Sequence, residues 1–346
     1  MKTNFYKKIA RNKYPYIIAD IGANHNGDME LAKKMIDELA QIKCNAAKFQ
    51  SWNKNSLFTK GFYKEKSQFM DETFGTLEQM VENFSISKDD HIALKKYCVW
   101  KKITFCSSSF SFTEVDMLDE LGVPFFKIAS MDLNNINFLK YIARKRKPII
   151  LSTGMGTLSE IDNALNAIFQ AGNNEVIILH CISIYPPDDS IVNLKNIIML
   201  KDTFGLPVGF SDHTIGTSIP LAAIAMGAKV IEKHFTMNKN LPGWDHTVSA
   251  NVEEMKLIIV GGRRIIKAQG NYNRTVSDDE YKQRASFRRS AVSKKDLEKG
   301  HILASNDIDF KRPGSGIKPD ELDYIVGREI KREIKRDEII DWKDLI

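Results

Sequence analysis

Val208-Gly-Phe-Ser-Asp-His213 and Lys229-Val-Ile-Glu-Lys-His234 are short apolar runs that each end in a histidine. Read outward from this pair, the chain repeats one beat six more times: a β-type apolar run, a polar cluster at its C-terminal end, then an amphipathic stretch of helix length. The predicted strands are 16–21, 46–50, 103–107, 125–128, 148–152, 176–181, 207–210 and 229–234. Helical patterns fall at 29–41, 88–101, 113–121, 135–144, 158–171, 218–226 and 252–269. Alternation of this kind makes a parallel sheet, and eight units favour closure into a (β/α)8 barrel over an open doubly wound sheet. In such a barrel the polar clusters converge on the rim at the C-terminal ends of the strands.

A chain of 346 residues exceeds an ordinary barrel and leaves room for a small appended domain. After 252–269, the stretch Gly270-Asn-Tyr-Asn-Arg-Thr-Val-Ser-Asp-Asp279 has linker composition. The expected division is a barrel over 1–270, a linker over 271–284, and a second domain of short β-like pieces over 285–346. Ser51 to Ser87 is the longest interruption and has no clear period. It reads either as a loop covering the rim or as a partly disordered surface excursion.

Fifty basic residues against 44 acidic ones give a net charge of +6, spread without a long basic block, so a small anionic substrate fits better than nucleic acid. Cys44, Cys98, Cys106 and Cys181 show no CxxC spacing and read as reduced, buried thiols. Met1-Lys-Thr-Asn-Phe-Tyr-Lys-Lys8 lacks a following signal-length apolar core, and no run reaches membrane-spanning length. A soluble cytoplasmic protein is expected.

Lys48 and Lys127 interrupt strand runs, Ala-Ala-Lys-Phe-Gln and Phe-Phe-Lys-Ile-Ala-Ser, where an unpaired ammonium is costly to bury. As a pair entering a cleft they would hold a phosphate or carboxylate; singly, each could be an ion-paired core lysine. Asp20, inside the first strand, needs a partner of its own. Gln50, Ser108, Ser130 and Ser152 sit at equivalent strand ends and could donate to the same oxyanions. Two neutral imidazoles, His213 and His234, can hold a divalent ion with positions left open for water or substrate. Asp212 and Glu232 adjoin them, and Asp245 in Leu241-Pro-Gly-Trp-Asp-His246 could reach the same mouth. Asn24-His-Asn-Gly-Asp28 reads as a turn in which Asp28 caps the next helix.

Taken in order, Ile18-Ala-Asp-Ile-Gly-Ala-Asn-His25, Lys48-Phe-Gln50, Lys127-Ile-Ala-Ser130, Leu151-Ser-Thr-Gly-Met155, His180-Cys-Ile-Ser-Ile-Tyr-Pro186, Ser211-Asp-His213 and Glu232-Lys-His-Phe235 resemble the sialic acid synthase family. Phe287-Arg-Arg-Ser290 and Lys311-Arg-Pro-Gly-Ser-Gly316 resemble its antifreeze-protein-like C-terminal domain, of SAF type. The resemblance spans essentially the whole chain. It implies condensation of phosphoenolpyruvate with an N-acetylated hexosamine, with N-acetylmannosamine or a diacetamido-trideoxyhexose as acceptor. It further implies that Lys48, Ser108, Lys127, Ser130, Ser152, Ser183 and Ser211 bind phosphoenolpyruvate, and that His213 and His234 bind Mn2+ or Mg2+. Gln50, Tyr185 and Asp245 would meet the sugar. Arg312 would reach it from the second subunit of a domain-swapped homodimer. Asp20, Asp132 or Glu232 would move protons.

The chain departs from that family in having Asp20 where glutamate is common, Asp132 in Ala-Ser-Met-Asp, Ser183 where some members have asparagine, and Trp244 before Asp245. Other readings are a 3-deoxy-octulosonate-type synthase, a Schiff-base barrel aldolase, and a carbohydrate-binding barrel without catalysis.

Overall fold

The computed structural model describes residues 5–346, so Met1 to Asn4 of the charged N-terminal stretch lie outside it. Eight parallel strands close into a barrel in chain order: β1 (Tyr16–Gly22), β2 (Ala46–Ser51), β3 (Thr104–Ser109), β4 (Phe126–Ile128), β5 (Ile149–Ser152), β6 (Val176–Cys181), β7 (Val208–Asp212) and β8 (Val230–His234). The expected (β/α)8 barrel is therefore the observed one. Nearly every strand residue is buried because helices cover the outside and side chains fill the inside, so the strands read as continuous apolar runs. β7 passes its neighbours closely. A Cβ on Gly209 would lie 2.5 Å from the Val230 carbonyl oxygen.

Local sequence explains the helices as well. Asp28 caps Met29–Gln41 by accepting from the backbone N–H groups of Glu30 and Leu31, and Ala32, Met35, Ile36 and Leu39 form its buried stripe. Helix Asn196–Phe204, between β6 and β7, was not anticipated; it has no side-chain cap and buries only Ile197 and Leu200. Helix Phe5–Arg11 was also missed. Its Ile9, with Phe5 and Tyr6, packs on Tyr16, Phe125, Ile150 and Ile177, an apolar cluster at the starts of the strands. One end of the barrel is thereby filled with hydrocarbon.

Period-two alternation carries the same inward-facing parity onward into polar residues. Ile18 leads to Asp20, Ala46 to Lys48 and Gln50, Phe125 to Lys127, Ile150 to Ser152, and Val230 to Glu232 and His234. A dry layer thus supports a charged one.

The stretch from Ser51 to Ser87 is structured, contrary to the disordered alternative. It holds helices Lys54–Leu57, Lys60–Glu65 and Leu77–Asn83 and a small hairpin, Met70–Asp71 with Gly75–Thr76. Its irregular pattern reflects packing around one aromatic cluster, with Trp52, Tyr63, Met80, Val81 and Phe84 buried. All four cysteines are free and buried. Among the described residues no helix is long and apolar enough to cross a membrane.

The chain divides into two compact units between Gly270 and Asn271. Residues 271–284, expected as a linker, fall within the second unit and include helix Asp278–Lys282, capped by Ser277. That unit pairs β9 (Ser290–Ser293) antiparallel with β10 (Ile308–Lys311) over a core containing Ala291, Leu297, Leu303, Ile317, Ile330 and Ile340.

Candidate active site

A cavity of ≈ 380 Å³, within the range of small-molecule sites, opens at the C-terminal ends of the strands. Asp20, Lys48, Gln50, Ser108, Lys127, Ser130, Ser152, Ser183, Tyr185, Ser211, His213, Glu232 and His234 all line it. These are residues singled out from the sequence. Strand register explains their contacts, since Asp20 lies opposite Lys48 on one side and His234 on the other, Ser108 opposite Lys127, and Glu232 opposite Ser211.

Both lysines are buried and paired. Lys48 Nζ is 2.7 Å from Asp20 Oδ2 and donates to Ser108 Oγ at 3.3 Å. Lys127 Nζ donates to Ser152 Oγ at 2.8 Å and to the Ile128 carbonyl at 3.0 Å, and lies 3.4 Å from Glu232 Oε1. The two readings of a buried lysine, ion-paired and cleft-lining, both hold at once. Burial alone would raise the Asp20 carboxyl, but Lys48, His234 and Lys127 together outweigh it and hold Asp20 below its ordinary value. Burial lowers Lys48, yet Asp20 and Glu232 more than offset this and the net shift is upward. For Lys127 burial prevails and the ammonium titrates below its ordinary value.

His213 and His234 lie with ring centroids 5.6 Å apart, and the Tyr185 ring packs 4.0 Å from that of His213. His213 Nδ1 contacts the Ile182 carbonyl at 2.7 Å; a carbonyl only accepts, so Nδ1 carries the proton and Nε2 offers its lone pair. Burial, then the neighbouring His234, push the His213 pKa down to about 3, so the imidazole is neutral near pH 7. His234 Nδ1 is buried without a hydrogen-bond partner, 3.6 Å from Asp20 Oδ2 and 3.8 Å from Asp245 Oδ2. Asp20 Oδ1 and Glu232 Oε2 are likewise buried and unpartnered. Among the described residues no three His, Cys, Asp or Glu side chains form a cage for an ion. The donor set fits an open two-histidine site rather than a closed one.

Three expected residues stand elsewhere. Asp132 does not line the cavity, because the 3-10 turn Ser130–Asp132 carries it toward the next helix, where its Oδ1 accepts from Asn135 Nδ2 at 3.3 Å. Asp245 is outside the lining but within reach of His234. Arg312 is exposed in the second unit, with its guanidinium 5.2 Å from the Phe287 ring centroid. Asp212, read as a neighbour of the metal pair, points outward and forms a buried ion pair with Lys233 at 2.6 Å.

One wall of the cavity is aromatic and apolar, which the motifs do not signal. Trp52, Leu57, Phe58 and Phe110 line the cavity with Trp244, which the sequence marks only as a departure. Trp52 lies 5.9 Å from Trp244 and 5.8 Å from Phe110, and Trp244 meets Phe84 edge-on at 5.2 Å. Parity was an available signal. Trp52 is two residues beyond Gln50, and Phe110 two beyond Ser108.

A closed (β/α)8 barrel whose rim cavity gathers buried lysines, carboxylates and histidines defines the class as a barrel protein with a charged C-terminal-face site. Residues 35–274 match the NeuB family and residues 288–346 match the SAF domain. The chain belongs to the NeuB family. It is 41% identical to the N,N'-diacetyllegionaminic acid synthase of Campylobacter jejuni, over 95% of this chain and 99% of that one. The N,N'-diacetyllegionaminic acid synthase of Legionella pneumophila is 36% identical over 99% and 98%. The crystal structure of the N-acetylneuraminic acid (sialic acid) synthetase of Leptospira borgpetersenii, in complex with citrate, superposes with a TM-score of 0.70 at 35% identity, covering 79% of this chain and 91% of that chain.

Proposed function

We propose that the protein condenses phosphoenolpyruvate with an N-acetylated amino sugar, releasing phosphate and forming a nine-carbon 2-keto-3-deoxy acid. The observation that carries this reading is the layer of Lys48, Lys127 and serines facing a histidine pair inside one cavity. Lys48 and Lys127, with Ser108, Ser130, Ser152, Ser183 and Ser211, hold the donor's phosphate and carboxylate and orient its C3 toward the acceptor. His213 and His234 would hold Mn2+ or Mg2+, which supplies Lewis-acid polarisation of the sugar aldehyde. The donor C3 bonds to the aldehyde carbon, water adds at C2, and loss of phosphate leaves the ketone. Asp20 and Glu232, each with a free buried oxygen, take up and return the protons. Asp132, which also keeps a buried oxygen without a partner, stands just outside the cavity lining, so we favour Asp20 and Glu232 for that role.

The acceptor we favour is a 2,4-diacetamido-trideoxyhexose of the legionaminate type rather than N-acetylmannosamine. Such a sugar exchanges hydroxyls for a second acetamido group and a methyl. Trp52, Leu57, Phe58 and Trp244 offer those groups an apolar wall, and both legionaminic acid synthases compared above are similar end to end. Gln50 and Tyr185 would bond the sugar's polar edge, with Asp245 close by. We further propose a domain-swapped homodimer in which Arg312 completes the partner's site. The loops after β4 to β7 expose Met131, Met155, Ile184 and Ile215 in this chain, an apolar rim that such a partner would cover.

One observation favours a second reading. Burial lowers the Lys127 pKa, which also suits a Schiff-base aldolase. Incubation with Mn2+, phosphoenolpyruvate and either N-acetylmannosamine or the diacetamido sugars decides among these. Phosphate release with the product mass of a diacetamido nonulosonate is expected. Borohydride trapping of pyruvate on Lys127 without phosphate release would replace the proposal with the aldolase.

A further inference from the structure

The cavity prepared for an anion carries no excess positive charge among its strand-borne ions. Lys48 is matched by Asp20 at 2.7 Å and Lys127 by Glu232 at 3.4 Å, and all four side chains are at most 7% exposed. A multiply charged donor entering this arrangement meets ammonium groups that are each already paired with a carboxylate. Unscreened like charges held in one buried cavity repel strongly even at the effective dielectric of about 20 that suits protein sites. Something must draw a carboxylate away before the anion gains full use of its lysine.

Asp20 is placed to do this. Its Oδ2 stands between Lys48 Nζ at 2.7 Å and His234 Nδ1 at 3.6 Å, while its Oδ1 is buried without a partner on the same cavity wall. Glu232 also keeps one unpartnered oxygen, Oε2, but its Oε1 is held by two groups, Lys127 Nζ at 3.4 Å and Ser211 Oγ, which donates at 3.1 Å. His234 Nδ1 itself has no hydrogen-bond partner, so Asp20 faces a vacant donor atom on one side and an ammonium on the other. We infer that Asp20 is the internal counter-ion of Lys48 and couples the two ligand sites. With a divalent cation held by His213 and His234, Asp20 would turn its charge toward the cation and Lys48 would be left free for the anion.

This rests on the metal and phosphoenolpyruvate reading given above and adds an energetic link to it. The link is reciprocal: whatever factor the cation adds to the anion's affinity, the anion adds to the cation's. It also predicts a gain. Removing the Asp20 charge should free Lys48 permanently, so the anion binds without help from metal.

The test is titration calorimetry of phosphoenolpyruvate with and without Mn2+, paired with Mn2+ binding followed by electron paramagnetic resonance with and without phosphoenolpyruvate. For the unmodified full chain both affinities should tighten by the same factor, within the roughly 5- to 150-fold span usual for coupled sites. Asp20→Asn should bind phosphoenolpyruvate more tightly than the unmodified protein when both are metal-free, and added Mn2+ should improve it little. Equal phosphoenolpyruvate affinity with and without Mn2+ in the unmodified protein would overturn the inference, and that measurement needs no variant to fold. So would weaker metal-free binding in an Asp20→Asn protein of unchanged melting temperature. If the unmodified protein binds neither ligand, the proposed reaction itself falls; if it binds both without coupling, only this inference does.

Discussion

The two walls of the cavity are built by different means. Asp20, Lys48, Lys127 and Glu232 stand on barrel strands, at inward positions fixed by register with neighbours on both sides, and Ser152 is in register with Leu179 on one side. Trp52, Leu57, Phe58, Phe110 and Trp244 lie beyond the strand ends and are held by contact with one another and with Phe84. A strand position cannot shift without moving the sheet, whereas a loop can change length and residues while the barrel persists. In the proposed reaction the strand wall would therefore serve the donor and the metal. The loop wall suits the part that distinguishes one sugar from another.

The largest effect that separates the walls should come from the histidines on the strand side. His213→Ala or His234→Ala is expected to lower kcat by at least about a thousandfold, as does loss of a group acting directly on the reacting centre, and to abolish Mn2+ binding at micromolar metal. Prolonged chelation of the unmodified protein should give the same loss, reversed by added Mn2+. Full turnover by the chelated enzyme would remove the metal from the strand wall.

Next in size is the donor anchor. Lys48→Met deletes a buried ammonium that pairs with Asp20 and bonds Ser108. Loss of a charged contact of this kind is worth about 2–5 kcal/mol, so the KM for phosphoenolpyruvate should rise by roughly 30-fold or more while that for the sugar moves far less. If both constants rise equally in a folded variant, the two walls do not divide the substrates between them.

The walls also differed in how far they could be read from sequence. Lys48 and Lys127 betrayed themselves by interrupting apolar runs, because a buried ammonium demands a partner, and the histidines did so by ending successive runs. The eight strands were legible for the same reason: burial on both faces leaves no polar residue without cause. What the sequence could not show was pairing. Asp20 and Lys48 are 28 positions apart in the chain and meet only because β1 and β2 are in register. Nothing in Ala-Ser-Met-Asp signals the tight turn that sets Asp132 beside Asn135 and off the cavity lining. Only Trp52 and Phe110 of the aromatic wall keep strand parity; the rest has no period, and between Ser51 and Ser87 the packing partners are remote. Trp244 and Phe84 are such a pair.

A smaller effect is expected on the loop side. Trp244→Ala removes a large apolar surface from the wall and leaves every strand-borne group in place. An apolar contact of this size discriminates by about 1–3 kcal/mol, so the KM for a diacetamido sugar should rise by roughly 10- to 200-fold with the phosphoenolpyruvate constant near its original value. Relative activity toward N-acetylmannosamine should increase, since that sugar has less apolar surface to lose. Equal losses on both sugars would mean that Trp244 shapes the fold of the loop and not the choice of acceptor.

The smallest effect on activity at neutral pH concerns a residue in neither wall and provides their baseline. His25, wholly buried in the turn after β1, accepts the Gly27 N–H at Nδ1 and keeps Nε2 without a partner. Burial, reinforced by His91, pushes its pKa down to about 4, against about 6.5 for an unfolded chain. Between those values the unfolded chain binds a proton that the folded one refuses, so the associated stability is complete above about pH 6.5 and is lost as pH falls toward 4, at up to about 1.4 kcal/mol per pH unit. His25→Gln should flatten the pH dependence of unfolding free energy in that window by this slope while leaving the Trp244 and Lys48 contrasts at neutral pH intact. An unchanged slope would show that His25 protonates without opening the turn. A changed phosphoenolpyruvate constant at neutral pH would show that the turn after β1 helps to hold Asp20 in place, which would extend the strand wall into its first loop.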